Sequence, residues 1–188
     1  MSFIGCTIFR RSTWLERDRK SYYGTLFVHV GVAFQRPPLE RIVAWGKPLV
    51  RIRIGNAMWT ARGFEIWLVM WPRLIWSFAG YSAAAKQAVV PRHPWRHPKR
   101  LLLWRAYGVY GPQEYRTFLA PRATPAERVW MRLIAGLPGA LANSLVVGLL
   151  AARGQGRGSV AYQLVESSSF SNALSRAIVP PGLGSGET

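Results

Sequence analysis

The 188-residue chain carries 25 Lys and Arg against 8 Asp and Glu, a formal net charge of +17 at pH 7. Yet 49% of its residues are hydrophobic and 9 are Trp, which excludes a basic disordered tail. Its one cysteine, Cys6, excludes an intramolecular disulfide framework.

Arginine dominates the positive charge, 21 Arg to 4 Lys. Arg grips phosphate through two parallel hydrogen bonds, so lipid head groups and RNA are the anionic partners to weigh. The expected fold is mainly α and membrane-associated, in five stretches. These are a basic, apolar N-terminal region (1–62), a kinked or interfacial membrane helix (63–90), a basic Pro-rich loop (91–123), a transmembrane helix (124–153) and a Gly/Ser-rich tail (154–188).

The N-terminal stretch holds apolar residues and Arg10 and Arg11, with no acid before Glu16. That composition resembles a mitochondrial targeting segment; a secretory signal fits poorly because the basic residues follow the apolar ones. Ser21 to Phe34 is an apolar run too short for a span, open between strand and buried helix. His29 at its centre reads as a packed side chain. Leu39 to Trp45 suggests a short helix. Val50 to Ile54 alternates strictly as VRIRI, a half-exposed strand with Arg51 and Arg53 on one face.

Phe64 to Ala85 has the length of a membrane helix, with Pro72 to kink it and Arg73 near its middle. Trp67, Trp71, Ile75 and Phe78 recur at helical spacing and share a face. Two readings compete. One is an interfacial helix with Arg73 on head-group phosphates; the other is a kinked span with Arg73 paired to a partner's acid.

The segment from Pro91 to Arg100 repeats Arg-His-Pro, and its prolines preclude a regular helix. His93 and His97 lack the further ligands a metal needs. Arg92, Arg96, Lys99 and Arg100 read instead as contacts to anionic lipid, cardiolipin in a mitochondrial setting, or to partner subunits. Leu101 to Tyr110 suggests a surface helix or strand, and Gly111 to Glu114 opens a short helix bounded by Pro121. From Lys86 to Arg132 ten basic residues face only Glu114 and Glu127. The positive-inside tendency places that loop in the matrix.

The organising stretch is Thr124 to Arg153. Thr124, Pro125 and Glu127 form a capping box with proline at the first helical position. Leu133 to Ala152 is 20 residues without a formal charge. That is about what ~30 Å of hydrocarbon requires, so one transmembrane helix is expected over about 125–152. Trp130, Arg128 and Arg132 mark its interface. Gly136, Ala140, Ser144, Gly148 and Ala152 are spaced by four, a row that lets a partner helix approach closely. Asn143 beside them is placed to be able to bond across to a partner, and Pro138 is expected to kink the helix. The Gly/Arg segment after it, Arg153 to Gly158, lacks the ending of a phosphate-binding loop and reads as a flexible exit linker. The tail beyond is expected to have little structure of its own.

No nucleophile elbow, HExxH or CxxC occurs, so no catalytic residues, metal ligands or cofactor are assigned. The expected function is a non-catalytic accessory subunit of a mitochondrial inner-membrane respiratory complex. The membrane arm of complex I is preferred, with bound cardiolipin and the complex's other subunits as partners. Alternatives are an ATP synthase membrane-region subunit, an organellar ribosomal protein binding rRNA, and a transporter or enzyme component.

Overall fold

The computed structural model describes residues 8, 10–37, 43, 62–156 and 158–179. The expected helix at Leu39 to Trp45, the strand at Val50 to Ile54 and Cys6 lie outside the described residues. Those described are mainly helical, with no strand among them. The chain divides into two compact units, Met1–Ile54 with Ile66–His93, and Gly55–Glu65 with Pro94–Thr188.

In the first unit, helix α1 (Arg11–Glu16) leads through a 3-10 turn (Lys20–Tyr22) to α2 (Val28–Phe34). The second half of the run from Ser21 to Phe34 thus resolves as a short buried helix, with His29 packed inside it. The carbonyls at the end of α2 lack helical donors. Arg17 supplies them, its Nη1 donating to Val32 O at 3.0 Å and to Ala33 O. Asp18 and Gln35 trade hydrogen bonds beside it, Gln35 Nε2 to Asp18 O at 2.9 Å and Asp18 N to Gln35 Oε1 at 3.2 Å.

Over the stretch expected to form one helix at 64–85, the backbone is broken. A π-helical segment (Glu65–Met70) runs into α3 (Trp71–Ser77), and α4 (Ala83–Val89) follows after a turn. Pro72 follows directly on the π-helical segment, an irregularity of the kind found where a helix accommodates a residue that cannot donate. The shared face read at helical spacing is real. Ile75 and Phe78 are buried in one cluster with Phe27 and Val30, and Trp67 and Trp71 pack against it. The Phe27 ring lies 5.7 Å from Trp67 and 5.0 Å from Trp71. These tryptophans cover the unit's own core.

In the second unit, α5 (Pro98–Tyr107) ends at Gly108, whose φ of +85° is the left-handed cap that glycine adopts freely. A short turn α6 (Pro112–Glu114) passes into a π-helical segment (Tyr115–Leu119). Then come α7 (Pro125–Gly136), α8 (Gly139–Ala152), α9 (Ser159–Glu166) and α10 (Ala173–Ile178). Helix α8 packs on α5, α9 and α10. Their shared core contains Ala106, Ala142, Val146, Val147, Ala161 and Leu164.

Two expectations change here. The single helix over 125–152 is two helices bent by 97°, and no single described helix is long and apolar enough to cross a membrane. One cause is Pro138, which has no donor and disfavours helical geometry in the preceding residue. Leu137 accordingly sits at φ −58°, ψ 139°. The tail also has structure: Val160, Ala161, Leu164 and Val165 follow a helical period, and Asn172 with Ser175 forms a capping box that starts α10.

Candidate functional site

The α7–α8 elbow concentrates the residues singled out by sequence. Its start is well fixed. Thr124 Oγ1 accepts from Glu127 N at 3.3 Å, and Glu127 Oε2 accepts from Thr124 N at 2.9 Å, as the capping box requires. Glu127 Oε1 also pairs with Arg96 Nε at 2.9 Å. Arg96, expected to reach lipid or partners, is therefore tied to the fold, by an exposed pair worth under about 1 kcal/mol.

Tyr110 anchors the middle of α7. It is 1% exposed, its ring stacks on Phe64 at 5.0 Å, and its hydroxyl donates to Met131 O at 2.9 Å. Burial pushes its phenol well above the ordinary value, helped by Tyr115 and Glu114 nearby. The folded value is raised, so this contribution is fully present below the unfolded pKa of about 10 and lost as pH rises past it. The second unit should lose about 1.4 kcal/mol per pH unit in that alkaline range. In urea unfolding, Tyr110→Phe should cost about 1 kcal/mol at neutral pH and flatten this alkaline loss. Equal alkaline slopes for the two proteins would contradict the assignment.

The elbow itself is held by Arg105. Its Nε and Nη2 donate to Leu137 O at 2.8 and 2.6 Å, and its Nη1 donates to Tyr110 O at 3.0 Å. The guanidinium lies 5.0 Å from the Phe170 ring centre. Burial lowers the Arg105 pKa, with Glu114 and Tyr110 opposing that shift, yet guanidinium stays charged in proteins. Sequence reasoning missed this clamp. A lone arginine inside the apolar run Leu101 to Tyr110 was its available signal.

The row of small residues is divided by the bend. Gly136 is exposed at the end of α7, lining a shallow open groove with Val129, Arg132, Leu133, Leu137 and Pro138. Ala140 and Ala152 are exposed on α8, and Gly148 is half-buried with nothing within 4 Å of where a Cβ would stand. Ser144 Oγ is 3.2 Å from Asn172 Oδ1 inside the chain. Asn143, read from the sequence as able to bond across to a partner helix, is turned into its own chain. It is 0% exposed, and its Nδ2 donates to Ala106 O at 3.2 Å and Leu164 O at 2.9 Å. Beside the small residues, Leu141, Leu145 and Leu149 are exposed at intervals of four.

The other basic residues scatter. Lys99 and Arg100, expected in a stretch without regular helix, are exposed in the first turn of α5, which Pro98 opens at the first helical position. Arg128 and Arg132 are exposed on α7, Arg128 Nε also donating to Ala123 O at 3.1 Å. In the first unit, Arg73 is exposed on α3, and Arg92 stands 5.6 Å over the Trp76 ring with Lys86 at 5.9 Å. Among the described residues no three His, Cys, Asp or Glu side chains are grouped to hold a metal. No protein-family model, curated protein or solved structure matches the chain.

Proposed function

We propose that the chain is a non-catalytic subunit of a large membrane complex, docked on partner helices through the outward half of α8. One observation carries this. The outward half of α8 presents Leu141, Leu145 and Leu149 beside Ala140, Gly148 and Ala152, with no charge from Gly139 to Ala152. A soluble surface helix usually places its charges opposite its core face; this one has none to place. Small residues beside a leucine row suit close helix packing in lipid. At about 21 Å, α8 is shorter than the ~30 Å hydrocarbon layer, so it serves as an embedded or edge element and not a lone span.

The finer reading is an accessory subunit of a mitochondrial inner-membrane respiratory complex, complex I first. It rests on composition: arginine-dominated charge and the basic, acid-poor N-terminal stretch.

The test is native gel electrophoresis of mild-detergent extracts from salt-washed mitochondria, blotted for the tagged chain. The reading expects migration with a large complex. Gly148→Leu is the discriminating variant. The space above Gly148 is open, and leucine is the better helix former by roughly 0.5–1 kcal/mol, so the isolated chain should melt no lower. Assembly should nonetheless be lost or sharply reduced. Normal assembly of Gly148→Leu would count against this face. Sedimentation with ribosomes in an RNase-sensitive manner would replace the whole reading.

A further inference from the structure

Helix α7 is oriented against the habit of a soluble surface helix. Its core face carries Met131 and Ala135, at 0% and 1% exposure. At about 100° per residue, Val129 and Leu133 lie about 160° around from that face, so they point directly outward. They are 63% and 67% exposed. Arg128 and Arg132 run along one flank, about 100° from this apolar pole, and Trp130 lies on the other flank. Among the described residues, Arg132 makes no ion pair and Arg128 bonds only the Ala123 carbonyl.

An apolar pole between an arginine flank and a tryptophan flank matches a helix lying in a bilayer interface. The pole enters the acyl boundary, the guanidinium groups meet phosphate, and the indole sits at head-group depth. The 97° bend turns the axis of α7 away from that of α8, so α7 can lie flat without α8 lying along it.

We propose that α7 is an in-plane anchor for an anionic phospholipid leaflet, with Val129 and Leu133 inserted and Arg128 and Arg132 on head-group phosphates. This rests on the membrane reading above, but on a different helix face from the one that docks partner helices.

The test uses the full-length chain with phosphatidylcholine vesicles, with and without phosphatidylglycerol. Binding should be stronger with phosphatidylglycerol and weaken as salt rises. Arg128→Ala and Arg132→Ala should each weaken binding to the anionic vesicles about fivefold, and should not weaken binding to neutral ones. Nitroxide labels on Val129→Cys and Leu133→Cys, in a Cys6→Ser background, should report equal depths just below the phosphates. Water-like accessibility at both labels, or equal binding to the two vesicle types, overturns the proposal. So does a lipid-independent dimer lost on Leu133→Glu, which would make a second copy the occupant. If those failures occur while the chain still migrates with a large complex, only the anchor falls. If complex migration is absent as well, the membrane reading falls with it.

Discussion

Asn143→Asp should unfold the second unit at neutral pH and spare it in acid. Asn143 is 0% exposed, and its amide donates to Ala106 O and Leu164 O. Both carbonyls lie in the last turns of their helices, α5 and α9, where intrahelical donors have run out. One side chain on α8 therefore finishes two other helices. An aspartate brings oxygens where donors are required and a charge where there is no water. Holding it neutral at pH 7 against an unfolded pKa of about 3.9 costs about 4 kcal/mol, a large share of a small unit's stability.

The sign follows from the raised folded pKa: the variant is least impaired below about pH 4 and loses stability as pH rises through that folded value. Asn143→Leu is the uncharged comparison. It keeps the volume but strands Leu164 O, Ala106 O retaining Ser168 Oγ at 2.7 Å, and should cost roughly 1–3 kcal/mol with no added pH dependence. Thermal melts from about pH 4 to 8 separate the two variants. A neutral-pH melt of Asn143→Asp equal to that of Asn143→Leu would mean the carboxylate reaches water and the burial argument fails.

What was legible in the sequence was local. Thr124, Pro125 and Glu127 announced the start of α7 because a capping box is complete within four residues. Trp67, Trp71, Ile75 and Phe78 announced a shared face because helical spacing alone sets it. The break at Pro138 was half-legible. A proline inside an apolar run admits a kink or a stop, and the choice depends on what receives Leu137 O. That acceptor is satisfied from Arg105, 32 residues away, and long-range partners leave no trace in local spacing. Asn143 was misassigned for the same reason. A buried amide among small residues suits a partner helix or the chain's own helices equally well, and α9 was not expected. The tail was judged by its Gly and Ser content, which obscured the period of Val160, Ala161, Leu164 and Val165.

The second large effect concerns the elbow, where two independent devices hold the same bend. Pro138 keeps Leu137 extended by sterics, and Arg105 occupies the Leu137 carbonyl that a continuous helix would give to Leu141. Removing one device leaves the other. Arg105→Leu strips three charge-assisted hydrogen bonds and should cost about 3–5 kcal/mol, while Arg105→Lys should restore little, because an ammonium cannot span two carbonyls as the planar fork does. Pro138→Ala should be milder. Neither should straighten the pair.

With both removed, the environment decides. In water α8 stays bent, since straightening would expose Ala142, Val146 and Val147 at roughly 1–3 kcal/mol each. In lipid that penalty fades, because acyl chains are as apolar as the core, and the backbone gains its missing helical bonds. Spin labels at positions 129 and 149 report the outcome. Helix geometry puts them about 20 Å apart across the bend and about 30 Å apart in a continuous helix. The wild type and both single variants should read the short distance everywhere, and Arg105→Leu/Pro138→Ala the long one in vesicles only. Straightening by a single variant would show that the two devices are not redundant. A double variant still bent in vesicles would show that the packing of α8 against α5 and α9 sets the angle by itself.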